Sequence, residues 1–332
     1  MKICIIKLGA LGDVVRTLPI LLGIKEKYPN SEITWITKPN AKEIVQSSPH
    51  VDNVITEHTP ENFDILYNFD IDEQATSLAE NIIAQKKFGF FSKDNFTQAY
   101  NLPAEYYLNT LFDDELKKSN TKTYQQMMFE TAELQYNKQH HPIHLTEQDK
   151  NHAQNFVIQN NINTENLIGI HIGSSPRWPS KVWYKDNLKQ FIKTAKQNNY
   201  EILLFGGPDE IHRLEELCTE LKQQGIKIHK NNPQNTAVEF ASLVDLCQAM
   251  ICPESFSLHI SLALRKPTIG LFFCTSPDEI EDYNLLKKII SPKLYEFFPE
   301  KMDQYDEELV KSISAEEVLE ALQNLQTKNS TA

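Results

Sequence analysis

Two short apolar runs, each ended by glycine and each followed by helical spacing, constrain this chain more than any other feature. The first is "KICIIKLGALGD" (2–13) and the second is "LIGIHIGSS" (167–175). A β-branched run that stops at glycine reads as a buried strand turning into a helix, since glycine lets the chain bend where a Cβ would obstruct it. After the first run, Val14, Leu18, Leu21 and Leu22 recur at helical spacing and predict a helix over 13–28, up to the turn "KYPNS". "EITWIT", "VDNVIT" and "FDILYNF" then read as strands and "AKEIVQSS" as a helix. Residues 74–150 read as more helical and polar, with "TKTYQQMMFETAEL" the clearest amphipathic piece.

After the second run the alternation restarts. A helix is expected around 185–198, a strand at "YEILLFGG" (200–207) and a helix over 209–224. "IKIHK", "AMICPES" and "PTIGLFF" add strands, with helices at 237–247 and 257–264. The tail "SAEEVLEALQNLQ" opens with Ser and carries Glu three residues on, the signature of a capped helix. Two alternating series that open alike predict an α/β chain of two Rossmann-like domains facing a central cleft. The expected division is 1–155 and 156–332, through the Asn- and Gln-rich stretch 140–165 as linker. The terminal helix is free in this scheme to pack back on the first domain.

The chain has 332 residues, comfortable for two domains, and carries 45 acidic against 33 basic residues, a net charge of −12. That balance argues against nucleic acid as a partner, because phosphate backbones are held by Lys/Arg clusters. Cys4, Cys218, Cys247, Cys252 and Cys274 form no CxxC pair and are odd in number. They read as reduced intracellular thiols, with neither a disulfide frame nor a zinc cluster. No run reaches the ~18 to 20 apolar residues that span a bilayer, and the opening run is too short for a signal peptide. A soluble cytoplasmic protein is expected.

The loops that end the strands carry the chemistry. "KLGALGD" lacks G-x-G-x-x-G, which excludes a nicotinamide dehydrogenase, but Gly9 and Gly12 let backbone approach a ligand closely. Asp13 follows at the first helical turn, where the positive helix end favours a carboxylate. It is either a cap or a catalyst. "HIGSSPRWPSKVW" crowds Gly173, Ser174, Ser175, Arg177 and Lys181 into a loop before a helix, which suits a diphosphate. Trp178 and Trp183 read as packing residues there. "FGGPDE" places Glu210 at a strand's carboxyl end, as a ribose partner or as a simple helix-start carboxylate. "CPESFSLHISLALRKPTIGLFF" puts Glu254 and Ser255 at a helix N-terminus with His259 one turn inside. Backbone N–H groups there suit an anion and the carboxylate suits sugar hydroxyls, while a single His on an apolar helix also reads as a core residue.

These loops, in this order, resemble glycosyltransferase family 9, the heptosyltransferases of lipopolysaccharide core assembly. "IIKLGALGDVVRTLP" is similar to the family's opening and "KKFGF" (86–90) to its mid-domain element. "HIGSS…SKVW" resembles its phosphate loop, "LLFGGPDE" its ribose loop, and "ICPESFSLHISLALRKPTIGLFF…TSP" its D-[ST]-G-x-x-H signature. The resemblance implies a GT-B architecture, with the acceptor on the first domain and the nucleotide sugar on the second. It implies inverting transfer without metal or other cofactor, from a donor such as ADP-heptose to a glycan or glycolipid acceptor. The enzyme would work at the inner face of the bacterial inner membrane, with at most peripheral contact. By position, Asp13 would be the general base, Lys181 would neutralise the diphosphate and Glu210 would hold the ribose. Gly173, Ser174 and Ser175 would cradle phosphate, and Glu254, Ser255, Phe256 and His259 would line the sugar and phosphates. Two residues depart from the signature: Glu254 replaces Asp, and Phe256 replaces Gly. The cysteines that many members carry near the C-terminal part are missing from "SPKLYEFFPEKMD", and "HTPENFDILYNFDIDEQ" makes the acceptor side acidic. The alternative that these departures support is a nucleotide-sugar-binding relative that has lost turnover and acts as a partner or regulatory subunit.

Overall fold

In the computed structural model the described residues are 1–57 and 61–329, with 326–329 described by their helical backbone only. His58, Thr59 and Pro60 of the acidic stretch lie outside them. The chain divides into two compact units, Met1–His144 with Asp278–Glu281, and Leu145–Pro277 with Asp282–Ala332.

The first unit is built on β1 (Lys2–Ile6), β2 (Glu32–Ile36), β3 (Asn53–Ile55), β4 (Phe63–Asn68), β5 (Ala84–Lys93) and β6 (Phe96–Ala99), in the order β3-β2-β1-β4-β5-β6. All neighbours are parallel except β5 and β6. Ile5 of β1 lies between Trp35 and Tyr67 in register. Ile3, Cys4, Ile5 and Ile6 are all fully buried, which is why the run is apolar throughout and does not alternate. The helix expected over 13–28 is two helices, Leu11–Thr17 and Ile20–Lys27. The break falls at Pro19, which has no N–H to continue the ladder.

Residues 74–150, expected to be helical, contain the β5–β6 hairpin before their helices. Its turn is Asp94–Asn95, both at positive φ, 53° and 65°. Such a turn matches the twist of an antiparallel pair. Gly89 in β5 has φ +91°, and a Cβ there would stand 1.8 Å from the Asn68 carbonyl oxygen. The helices Leu102–Phe112, Asp114–Ser119 and Tyr124–Thr131 follow, capped by Asn101, Asp113 and Thr123. Segment 278–281 completes this unit. The Tyr124 N–H donates to the Glu279 carbonyl at 2.9 Å. The Tyr136 hydroxyl donates to Glu281 Oε2 at 2.5 Å, and Lys138 Nζ lies 3.3 Å from Oε1.

The stretch 140–165 is no linker. Glu147–Asn160 is a helix with a capping box between Thr146 and Asp149. The boundary expected at 155/156 falls inside it, and the units divide at His144/Leu145 instead. Polar composition misled here because a helix needs only one buried stripe.

The second unit holds β7 (Leu167–His171), β8 (Glu201–Phe205), β9 (His229–Lys230), β10 (Ala249–Pro253), β11 (Thr268–Phe272) and β12 (Leu286–Ile290), ordered β12-β11-β10-β7-β8-β9 and all parallel. β12 is a strand that the sequence hides, since "LKKII" has two lysines on an edge. The terminal helix Ala315–Asn329 buries Val318 and Leu322 in the same core as Ile168, Ile251 and Ile269, so it packs on the second unit. Ser314 Oγ accepts from the Glu317 N–H at 3.1 Å, as its capping pattern requires. Among the described residues no helix is long and apolar enough to cross a membrane.

Strand order reverses at β1/β4 in one sheet and at β7/β10 in the other. Open α/β sheets present their ligand crevices at such points, outside the carboxyl ends of the strands.

Two stability predictions follow from single residues. Gly89→Ala should lower unfolding free energy by about 2 kcal/mol or more, read from the denaturation midpoint, because a Cβ there meets backbone. His141 is buried, with Nε2 2.8 Å from Ser48 Oγ, and burial pushes it down to about 4 from an ordinary 6.5. Its unfolded form takes up a proton first, so this contribution is fully present above pH 6.5 and is lost as pH falls towards 4. Melting temperature should drop across that window, and His141→Gln should flatten the drop.

Candidate functional site

At the β1/β4 switch point the first polar group past the buried run is Lys7. It is 4% exposed and donates to the Phe69 carbonyl at 2.8 Å, with Asp70 Oδ2 3.8 Å away. Burial alone would push this ammonium down. Tyr124, Asp70, Asp13 and Tyr107 outweigh that effect, and the group is raised above the ordinary lysine value. Asp70, just beyond β4, also accepts from the Leu8 N–H at 2.8 Å. A Cβ on Gly9 would lie 3.2 Å from Asp70 Oδ2 and 3.3 Å from Asp13 Oδ2. Two carboxylates thus converge on one glycine.

Asp13 is the third residue of helix Leu11–Thr17. The N-cap is Ala10, whose side chain makes no cap bond, so Asp13 is not itself the N-cap residue. The Asp13 carboxylate instead meets Arg16, with Nη2 to Oδ1 at 2.8 Å, and stays 34% exposed. Arg16, Asp70, Lys7 and Tyr124 were not singled out by sequence. The signals were faint: a lysine ending an apolar strand, and an acid ending "FDILYNFD".

In the second unit, the loop after β7 is fastened at several points. Ser180 Oγ donates to the Gln304 carbonyl at 2.8 Å and accepts from the Asp306 N–H at 3.0 Å. Buried Trp183 donates from Nε1 to the Ile313 carbonyl at 2.9 Å, a packing role as expected. Arg213 donates to the carbonyls of Ile172 and Trp183 at 2.8 and 3.1 Å. So held, Lys181 in the short 3-10 turn Pro179–Lys181 donates to Glu254 Oε2. His259 Nε2 stands 3.7 Å from Glu254 Oε1. Lys181, Glu254 and His259 form one cluster at the β7/β10 switch point.

Glu210 sits in a cradle of glycine. Its Oε2 accepts from the Gly207 N–H at 2.8 Å, and a Cβ on Gly173 would fall 2.2 Å from its Cδ. Gly173 therefore serves this close approach. Ser255 is the N-cap of helix Phe256–Ala263 but makes no side-chain cap bond. Its hydroxyl lies 3.0 Å from Ser257 Oγ and 3.2 Å from the Pro253 carbonyl. The Phe256 ring, half-buried, packs 5.3 Å from Phe240, which lies 5.1 Å from Phe205 and 6.0 Å from the His171 ring. Burial pushes His171 down to about 4, so this aromatic row is neutral. Ser174 stays close to the Trp178 carbonyl at 3.5 Å, while Ser175 and Arg177 are exposed, Arg177 lying 4.6 Å over the Trp178 ring. Among the described residues no group of three or more His, Cys, Asp or Glu is arranged to hold a metal ion.

Residues 61–308 match the profile of "Glycosyltransferase family 9 (heptosyltransferase)". The chain belongs to this family. Lipopolysaccharide core heptosyltransferase OpsX of Haemophilus influenzae is 23% identical over 87% of this chain and 84% of that protein. Lipopolysaccharide heptosyltransferase 1 of Campylobacter coli is 24% identical over 83% of this chain and 84% of that protein. Among solved structures, a family 9 glycosyltransferase of Veillonella parvula superposes with a TM-score of 0.79 at 20% identity, covering 98% of this chain and 97% of its own. The ADP-heptose lipopolysaccharide heptosyltransferase II of Escherichia coli superposes at 0.74 and 18% identity, covering 99% and 100%. The family 9 fold here is the GT-B type, two Rossmann-like α/β domains.

The glycine cradle makes a testable coupling. Gly173→Ala should displace Glu210 and lower stability, whereas the same change in a Glu210→Ala background should be tolerated. Contacting residues couple by ~0.5 to 3 kcal/mol in such cycles. Additive effects on the melting midpoint would show that the two residues do not depend on each other.

Proposed function

We propose that this family 9 member transfers heptose from ADP-heptose to a lipopolysaccharide-core acceptor, by inverting displacement that requires no metal, with Asp13 as general base. The observation that carries the reading is Asp13 itself, a half-buried carboxylate in the first turn of a helix at a switch point, paired with Arg16. Similarity to an ADP-heptose heptosyltransferase and to a heptosyltransferase solved with ADP supports the donor.

In this mechanism the Asp13 carboxylate takes the proton of the acceptor hydroxyl as its oxygen attacks the anomeric carbon. The bond from that carbon to the diphosphate oxygen breaks on the opposite face, which inverts the centre. Negative charge grows on the departing ADP, and Lys181 neutralises it. Lys181 must first exchange Glu254 for the diphosphate. Glu254 then turns to sugar hydroxyls beside His259, Ser255 and Phe256, while Glu210 accepts from the ribose and Gly173, Ser174 and Ser175 meet phosphate. The acceptor's lipid would bring the protein to the inner face of the inner membrane by peripheral contact alone. A binding subunit without turnover is the second reading, favoured by the Phe256 ring standing where the family signature has Gly.

Asp13→Asn should cut transfer ~10²- to 10⁴-fold while leaving ADP affinity within about twofold. Turnover near the wild-type rate would remove Asp13 from the chemistry. Lys181→Ala should weaken ADP and slow transfer together. Glu254→Gln should tighten ADP binding by calorimetry, on the order of tenfold or about 1.4 kcal/mol, because the competing carboxylate is gone. Unchanged affinity would mean that the Lys181–Glu254 pair persists with nucleotide bound.

A further inference from the structure

We propose that Arg16 is a positioning residue for Asp13, held flat on Tyr124 so that its guanidinium fixes one carboxylate oxygen and keeps the group ionised. This rests on the reading of Asp13 as the base. The guanidinium carbon lies 3.8 Å from the Tyr124 ring centroid, and Nη2 lies 2.8 Å from Asp13 Oδ1. Arg16 is only 15% exposed and Tyr124 is fully buried, so the stack is shielded from water.

The platform is itself fixed. The Thr17 hydroxyl donates to the Asp13 carbonyl at 2.6 Å, so the Tyr124 hydroxyl is the donor in its 2.8 Å bond to Thr17 Oγ1. The Tyr107 ring meets Tyr124 edge-on, with centroids 5.9 Å apart. Helices Leu102–Phe112 and Tyr124–Thr131 therefore hold the arginine through aromatic contacts. Arg16 holds the carboxylate one turn away on its own helix. A planar fork suits both jobs, and an ammonium at the same place satisfies neither.

The charges around Asp13 explain why an arginine is needed. Asp70, across Gly9, disfavours its ionisation. Lys7 favours it but is engaged with Asp70 and the Phe69 carbonyl. Tyr107 is neutral at physiological pH, since burial pushes its phenol up. Arg16 is the cation in direct contact with the carboxylate.

The test has two arms. Carboxylate titration of Asp13 in the protein alone, by 13C NMR and assigned with Asp13→Asn, needs no substrate. In Arg16→Met the midpoint should rise by roughly one pH unit or more, since an opposite charge within contact distance favours the ionised form by that much. In transfer from ADP-heptose to heptose-free lipopolysaccharide core, Arg16→Met should lose about a hundredfold in kcat and Arg16→Lys about tenfold. Donor KM should hold, and the acid limb of the rate profile should move to higher pH. If Arg16→Met does not fold, Arg16→Gln, which also removes the charge, gives the same titration readout. Tyr124→Phe, which keeps the ring, should leave the titration unmoved. An Asp13 midpoint unchanged when the charge at position 16 is removed overturns the proposal, as does an altered donor KM with unaltered kcat. An active Asp13→Asn overturns the base reading and leaves the Arg16–Asp13 titration standing, so the two failures are distinct.

Discussion

Strand β1 is hydrogen-bonded to β2 on one side and β4 on the other, and Ile3 to Ile6 have no exposure on either face. A strand in that position has no room for a polar side chain until its carboxyl end. Lys7 appears at that end, then Gly9, then Asp13, and Asp70 arrives from β4. The same logic holds at β7 and β10, past which the chain leaves the core at Ser174 and Ser175 and at Glu254 to Phe256. Burial of the parallel strands sorts the chemistry to one rim of each sheet. The rest of each unit then serves to hold that rim.

The Lys181–Glu254 pair shows how one methylene changes a site. A carboxylate at the end of β10 can serve sugar hydroxyls or the lysine opposite. With the length of glutamate, it reaches the lysine. A buried lysine with a carboxylate beside it attracts a diphosphate only when the exchange of partners is favourable. Phe256 adds to this remodelling, since its ring joins Phe240 and Phe205 in a neutral aromatic row and puts a side chain at the helix start. The two departures from the family signature thus act on the same end of the same helix.

Much of the fold was legible because it rests on local patterns. β1, β2, β4, β7, β8, β10 and β11 are apolar runs, and their glycines and turns mark where they stop. What was hidden depends on distant partners. β12 is lysine-rich, and β5 is polar along its outer half. Helix Glu147–Asn160 has a single fully buried residue, Ala153, so its composition looks like a linker. In the site, the sequence placed Lys181 in one motif and Glu254 with His259 in another, and only the fold joins the three in one cluster. Arg16 was unreadable for the same reason: its role requires Tyr124, which comes from a helix far along the chain.

Segment 278–281 belongs to the first unit although the chain reaches it only after β11. The carboxylate of Glu281 is 3% exposed and rests against Tyr136 and Lys138. During synthesis, residues 1–144 leave the ribosome with those two partners waiting for a carboxylate not yet translated. The first unit can therefore reach its finished form only after most of the second has emerged. A clone cut at His144 would lack the piece, and a separate peptide would have to be supplied to replace it. The chain order makes completion of the first unit wait on synthesis of the second.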